Sequence, residues 1–206
     1  LARVVHGTGP SIMVGFGATL GVVLIGGLLG ALAGYFGGWI DAIISRFMDI
    51  IFALPLILGA IVFMQVPLMR ENRGVITLAI TLVIFGWPSI ARITRSSVIS
   101  VRNADFVTAA RSLGMSAFQA YRMIIVPQLL RIVFYPLSNQ MVWAVLMTSL
   151  GVIVGLNNDL TGVTQDFNVK TFRTFEYFAI AAVLYYLIAK TIVLAARLMA
   201  WRLFRY

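Results

Sequence analysis

Residues 11–35 read SIMVGFGATLGVVLIGGLLGALAGY and contain no charged side chain. A helix needs roughly 20 apolar residues to cross the hydrocarbon core of a bilayer, and this stretch exceeds that length. Five of its glycines fall into two series with four-residue spacing: Gly17 and Gly21, then Gly26, Gly30 and Gly34. Such spacing places small residues on one helix face, where a neighbouring backbone can approach closely. The stretch therefore predicts a membrane helix that packs tightly against another helix.

Four further apolar stretches are long enough to span a membrane, at 49–66, 75–91, 132–156 and 177–196. The second contains Pro55, where we expect a kink. Hydrophobic residues make up 61% of the 206-residue chain and charged residues 11%, whereas soluble domains are about a quarter charged. The sequence predicts an all-α integral membrane protein of about five transmembrane helices, forming a single domain over 1–206.

The net charge of +9 does not indicate nucleic-acid binding, because the basic residues lie at the ends of apolar runs rather than in one patch. The chain has no cysteine, which excludes disulfides and thiolate metal sites. The lone histidine, His6, is expected to be a surface residue. We therefore predict no metal site, no cofactor in this chain and no catalytic residue.

The connection 92–131 carries six arginines against one acid, Asp105. Cytoplasmic loops of membrane proteins are enriched in lysine and arginine, so this connection is predicted to lie in the cytoplasm. Five spans then place the N-terminus outside and the C-terminus inside. The tail agrees with this orientation, since it carries Arg197, Arg202 and Arg205.

The segment 105–122 is predicted to form a helix, a turn and a second helix on the inner face. Asp105 is placed to cap the first helix, and Gly114 suits the left-handed position after a helix end. Ser116 and Gln119 have the spacing of a capping box at the start of the second helix. The small residues of the first helix suit docking of a partner protein. An ordinary interfacial hairpin would have the same pattern, and both interpretations remain open.

The same segment resembles the EAA loop of binding-protein-dependent ABC permeases, whose pattern is E-A-A, three residues, then G. Ala109, Ala110 and Gly114 match, while Thr108 stands where the family usually has glutamate. In that family the loop is a coupling helix that fits a groove on the ATPase subunit. The resemblance implies these ATPase contacts: Asp105, Thr108, Ala109, Ala110, Arg111, Leu113 and Gly114.

Two branches of that family are recognisable along the chain. Residues 1–110 resemble the dipeptide, oligopeptide and nickel permeases, through 33–41 (AGYFGGWID), 46–49 (RFMD) and 86–88 (GWP). Residues 111–206 resemble the polar amino-acid permeases, through 111–115 (RSLGM), 126–131 (VPQLLR), 148–150 (TSL) and 172–176 (FRTFE).

The resemblance implies the permease subunit of an ABC importer in the bacterial cytoplasmic membrane, moving a peptide or amino acid by alternating access. Its implied partners are ATPase subunits that hold ATP and Mg²⁺, a second permease subunit, an extracytoplasmic substrate-binding protein and the lipid bilayer. No glycine-rich loop ending in Gly-Lys-Ser/Thr occurs in the sequence, so we predict that the chain is not an enzyme.

Polar residues within predicted spans are candidates for the substrate path, because such groups usually face protein or a cavity rather than lipid. They can equally bond to neighbouring helices. The candidates are Asn139, Gln140, Trp143, Thr148, Ser149 and Tyr185. Two alternatives to the importer remain, a secondary transporter and a non-transport or engineered helix bundle. The sequence shows neither the inverted repeats nor the mid-span carboxylates that would favour a secondary transporter.

Overall fold

The computed structural model describes residues 7–71, 74–152 and 159–203, and every regular element in these ranges is a helix. The elements are α1 (Thr8–Phe36), α2 (Gly38–Ala53), α3 (Leu56–Met64), α4 (Pro67–Glu71), α5 (Val75–Arg102), α6 (Asp105–Ser112), α7 (Ala117–Ala120), a π-helix (Tyr121–Ile125), α8 (Val126–Met147), a 3₁₀-helix (Thr148–Val152), α9 (Leu160–Thr171) and α10 (Thr174–Leu203). The chain is all-α, as the sequence predicts.

Four helices are long and apolar enough to cross a membrane: α1, α5, the continuous run Ala117–Val152 and α10. The predicted spans 11–35, 75–91 and 177–196 lie within α1, α5 and α10. The predicted span 132–156 lies within Ala117–Val152 as far as residue 152. Its last residues, 153–156, fall outside the described ranges, as do His6 and Arg205.

The predicted second span, 49–66, is wrong as a single helix. The chain bends by 90° between α2 and α3, and α2 begins as early as Gly38. The cause is Pro55, because a proline disfavours the helical conformation of the residue before it. Leu54 accordingly has extended backbone angles, φ −85° and ψ 121°. If α2 and α3 are counted together as one bent span, the number of candidate spans in the described residues is five.

The glycine face of α1 packs directly against α5. A β-carbon added at Gly26 would lie 2.5 Å from the carbonyl oxygen of Trp87, and one at Gly34 would lie 2.7 Å from that of Arg95. Gly30 is in the same position against the carbonyl of Ala91. The predicted tight packing is therefore confirmed for this series.

Gly17 differs from the other members of the glycine face. A β-carbon added there would meet nothing within 4 Å, so it is not part of the contact with α5. Its partner in the four-residue spacing, Gly21, faces α5 at Val83. Within the glycine series, the contact with α5 thus begins at Gly21.

Residues 92–102, predicted as the first part of the cytoplasmic connection, are helical and form the last turns of α5. Their arginines have partners inside the protein. Arg92 Nη2 lies 2.9 Å from Asp49 Oδ1, and Arg95 pairs with Asp41, with Nη2 2.6 Å from Oδ2. Arg102 donates to the carbonyls of Gly34 and Tyr35 at the end of α1. These contacts join α5 to α1 and α2.

Candidate functional site

The first element of the segment 105–122 is α6, which begins one residue earlier than predicted. Ala104, in an extended conformation, occupies the cap position and no side chain caps the helix. Asp105 is the first helical residue, so its predicted capping role is wrong. An acid in the first turn still interacts favourably with the positive end of the helix dipole.

The turn after α6 has the predicted left-handed glycine. Gly114 has φ +94°, and its N–H donates to the carbonyl of Arg111 at 3.0 Å. The N–H of Met115 donates back to the carbonyl of Ala110 at 3.2 Å, which closes the helix end. A β-carbon on Gly114 would meet nothing within 4 Å, so only the backbone angle requires glycine here.

The second helix of the segment begins with a complete capping box, as predicted. The Ser116 N–H donates to Gln119 Oε1 at 2.9 Å, and the Gln119 N–H donates to Ser116 Oγ at 3.3 Å. This helix is continuous with the fourth span. It passes through the π-helix Tyr121–Ile125 into α8. Pro127 lacks an N–H, so the ordinary helical bond is missing at this point and the wider turn accommodates it.

The segment is fixed to the membrane helices by a small apolar cluster. Val107 of α6, Ala120 and Ile125 are buried together with Val101 from the end of α5. Val107 is the one buried residue of α6, so the rest of that helix is turned away from the protein. Its position is therefore set by one contact face only.

The residues that the resemblance assigns to ATPase contact lie mostly on the free surface of α6 and the turn. Leu113 is 89% exposed. Ala110 is half-buried and the others are exposed: Asp105, Thr108, Ala109, Arg111, Leu113 and Gly114. The structure thus brings these residues together on one protruding element.

A cavity of about 630 Å³ lies between the α2–α3 bend, α5 and α8. Three of the predicted path residues line it: Asn139, Gln140 and Trp143. Leu54 and Pro55, at the bend, form part of the opposite wall. The broken helix, from which the sequence offered no path residue, therefore contributes to the lining of this cavity.

Gln140 is the most unusual residue in this lining. Its side chain is buried, at 7% exposure, and within the described residues its Nε2 has no hydrogen-bond partner. Leaving a buried amide unpaired costs about 1–3 kcal/mol, and native proteins rarely do so without a reason. Gly86 lies opposite this amide and gives it room, since a β-carbon there would come within 3.3 Å of Nε2.

The other three predicted path residues are not in this lining. Thr148 is buried and donates to the carbonyl of Val145 at 2.7 Å. Ser149 follows it in the 3₁₀-helix. Tyr185 shares a hydrogen bond of 2.9 Å with Thr161 of α9. Tyr185 bonds to a neighbouring helix, which is the alternative that the sequence left open, whereas Thr148 bonds to a carbonyl of its own helical run.

Asp159 is a buried acid that is not among the residues predicted from the sequence. It caps α9 by accepting from the N–H groups of Thr161 at 3.3 Å and Gly162 at 2.9 Å. Burial raises the pKa of its carboxyl above the ordinary value, and the two backbone donors oppose that shift. The N–H of Leu160 donates to Ser11 Oγ at 3.3 Å, which ties α9 to the start of α1. The pattern Asp-Leu-Thr-Gly is typical of a helix start and could have indicated the cap.

Comparison with known proteins adds three findings. Residues 26–204 match the family described as "Binding-protein-dependent transport system inner membrane component". A dipeptide transport system permease protein of Alkalihalophilus pseudofirmus is 42% identical over 113 residues, which are 55% of this chain and 36% of that protein. The glutamine transport system permease protein of Escherichia coli is 29% identical over 191 residues, covering 87% of this chain and 86% of that protein. Both branches expected from the sequence are represented.

Solved structures of similar fold include an amino acid ABC transporter, with a TM-score of 0.80, 23% identity and coverage of 98% of this chain and 94% of that one. An inward-facing methionine ABC transporter has a TM-score of 0.81 at 19% identity, covering 96% and 94%. At this identity the likeness concerns the fold. The chain spans only 36–43% of the length of the first dipeptide permeases it matches.

Proposed function

The chain belongs to the family of binding-protein-dependent transport system inner membrane components, and from this premise we propose that it is the transmembrane permease subunit of an ATP-binding-cassette importer. In this proposal it moves a small solute, a peptide or an amino acid, across the cytoplasmic membrane of a bacterium. A separate ATPase subunit supplies the energy, and the path opens alternately to the two sides of the membrane.

The observation that carries the proposal is the surface of α6 and its turn. A leucine exposed to 89%, beside exposed alanine and glycine, forms a small apolar surface on an element that protrudes from the helix bundle. A surface of this kind fits a groove in another protein, because small residues permit close contact and the closed turn limits movement. We assign the groove to the ATPase subunits, which hold ATP and Mg²⁺. Thr108 offers no charge to that partner, so the contact rests on packing.

The 630 Å³ cavity is the proposed substrate path. Its lining is largely apolar with a few amides, and Asn139 and Gln140 are the polar groups nearest Trp143 on α8. The unpaired amide of Gln140 is available to a polar substrate group that passes the α2–α3 bend. A second permease subunit would complete the path, and an extracytoplasmic binding protein would deliver the substrate.

Both peptides and amino acids remain in the proposed substrate class, because the relatives named for dipeptides and for glutamine each match a large part of the chain. The proposed orientation has the N-terminus outside and the C-terminus in the cytoplasm. Arg111, Arg122 and Arg131 support it, since they are exposed at the end of the bundle that carries α6.

The test is the substitution Gly114→Val in the intact transporter. The variant places a β-branched residue at φ +94°, which costs about 1–3 kcal/mol in the turn alone. We expect membrane insertion to be unchanged, while co-purification of the ATPase subunit and substrate uptake are lost. Gly17→Val is the matched control, because Gly17 also has open space around it but an ordinary helical backbone. Normal uptake by Gly114→Val, or a purified complex without an ATP-hydrolysing subunit, would contradict the proposal.

A further inference from the structure

Two cavities adjoin at the end of α1, where both are lined by Tyr35, Phe36 and Ala117. The first is an apolar groove of about 400 Å³ between α1 and the start of the run Ala117–Val152. The second, of about 510 Å³, lies beneath α6 and has a more polar lining that includes Arg102 and Arg111. Together they form one continuous depression with an apolar part and a cationic part.

The apolar groove follows the axis of α1 from Leu28 to Phe36. Eight residues of helix rise about 12 Å, which approaches the thickness of one leaflet of the hydrocarbon core. The walls are open rather than sealed by protein, since Leu28 is 62% exposed and Phe118 is 69% exposed. The groove therefore has the length, direction and polarity that an acyl chain of the surrounding bilayer requires.

The polar part lies at the end of the groove and has an excess of positive charge. Arg111 is exposed and, within the described residues, has no ion-pair partner. Arg102 binds the carbonyls of Gly34 and Tyr35 through Nη1, which fixes its guanidinium at this position. Asp105 is the one acid between residues 103 and 131, and it does not line the cavity. The described lining of the polar part therefore holds two arginines and no acid, which favours a negatively charged ligand.

We propose that this depression binds an anionic phospholipid. One acyl chain lies in the groove of Leu28, Leu32 and Phe118, and the headgroup phosphate lies beside Arg102 and Arg111. Guanidinium groups match the planar oxygen pairs of a phosphate, and basic pockets beside membrane helices are suited to anionic headgroups. Along the depression the apolar groove is followed by the cationic cavity, as the acyl chain of a phospholipid is followed by its phosphate.

The lipid and a protein partner can be bound at the same time, because the exposed apolar surface of α6 lies opposite the cavity. Of the residues that the resemblance assigns to ATPase contact, Thr108 and Arg111 lie on the cavity side. Val107 and Arg111 are four residues apart and line the cavity. Ala109 and Leu113 are also four apart, and at 3.6 residues per turn they lie on the far side of the helix. The lipid would thus support α6 from the membrane side without covering the exposed apolar surface.

The test is lipid retention measured by native mass spectrometry. The protein, with whatever subunits accompany it, is extracted in mild detergent from vesicles of phosphatidylglycerol and phosphatidylcholine. We expect one phosphatidylglycerol per chain to be retained in preference to phosphatidylcholine. Arg111→Gln should lower that retention about tenfold through loss of a charge-assisted contact. Ala117→Trp, which fills the junction of the two cavities, should lower retention of both lipids.

Arg131→Gln is the matched control, since Arg131 is exposed at the same end of the bundle but lines neither cavity. It should leave retention unchanged. Equal loss in Arg131→Gln and Arg111→Gln would show diffuse surface attraction and overturn the inference. So would full retention in Arg111→Gln, or a lipid found only in chains that have lost their partner subunits. The measurement does not depend on transport, so its failure would leave the proposed function standing.

Discussion

Gly26 and Gly27 are neighbours on α1 with opposite surroundings, which allows a sharp test of the α1–α5 contact. A β-carbon at Gly26 would lie 2.5 Å from the Trp87 carbonyl oxygen, about 1 Å inside ordinary contact distance. Backbone cannot move aside as a side chain can, so in Gly26→Ala the two helices must separate. Overpacking of this kind costs about 1–3 kcal/mol, while alanine adds up to about 1 kcal/mol of helix propensity. We expect a net loss of up to about 2 kcal/mol for Gly26→Ala, and a variant about 1–3 kcal/mol less stable than Gly27→Ala.

Gly27→Ala is the control, because a β-carbon there would meet nothing within 4 Å. This variant gains the helix propensity of alanine without a clash against α5, so its free energy of unfolding should equal or exceed that of the wild type. Both variants can be compared by denaturant titration of the detergent-solubilised protein, followed by the fluorescence of its tryptophans. If Gly26→Ala proved as stable as Gly27→Ala, the close approach of α1 and α5 would be refuted.

Three further substitutions test other contacts. Asp159→Asn keeps a capping oxygen but cannot ionise. Because burial raises the folded-state pKa of Asp159 above 3.8, ionisation of the wild-type carboxyl costs stability as the pH rises. The thermal stability of the variant relative to wild type should therefore increase from pH 4 to pH 7. A difference that is constant with pH would contradict this. Ser116→Ala removes half of the capping box and should destabilise the start of α7 by about 1 kcal/mol, seen as faster proteolysis near Gln119; unchanged cleavage would count against the box. Gln140→Leu should leave the free energy of unfolding unchanged or raised, since it removes an unpaired buried amide, and should lower uptake; lost stability would mean that the amide is paired.

The features predicted correctly are those that follow from local chemistry. The spacing of Gly26, Gly30 and Gly34 indicated a packed face, and the structure shows the backbone of α5 against it. The turn at Gly114 and the Ser116–Gln119 box were predicted because each depends on residues within one helical turn. Hydrophobic length alone was sufficient for the long membrane helices.

The predictions that were wrong or incomplete depended on contacts between helices, or on the size of a local effect such as the angle of the bend at a proline. Charge at Arg92 and Arg95 was taken as the end of a helical span, but arginine is a good helix former and the helix continues to Arg102. Asp49 and Asp41 of α2 pair with those charges, which the sequence does not show. Pro55 was expected to kink a helix, whereas the chain turns by a right angle. Polarity alone did not separate Gln140, which faces the cavity, from Thr148, which bonds to its own helix.

The continuity of α7, the π-helix and α8 has a mechanical consequence. Ala117 and Gln140 lie on one uninterrupted rod, and the 23 residues between them correspond to about 35 Å. A tilt of about 3° at the inner end would shift the other end by roughly 2 Å over that length. A partner that tilted the inner end of this helix by that angle would therefore move the amides beside Trp143 by roughly 2 Å.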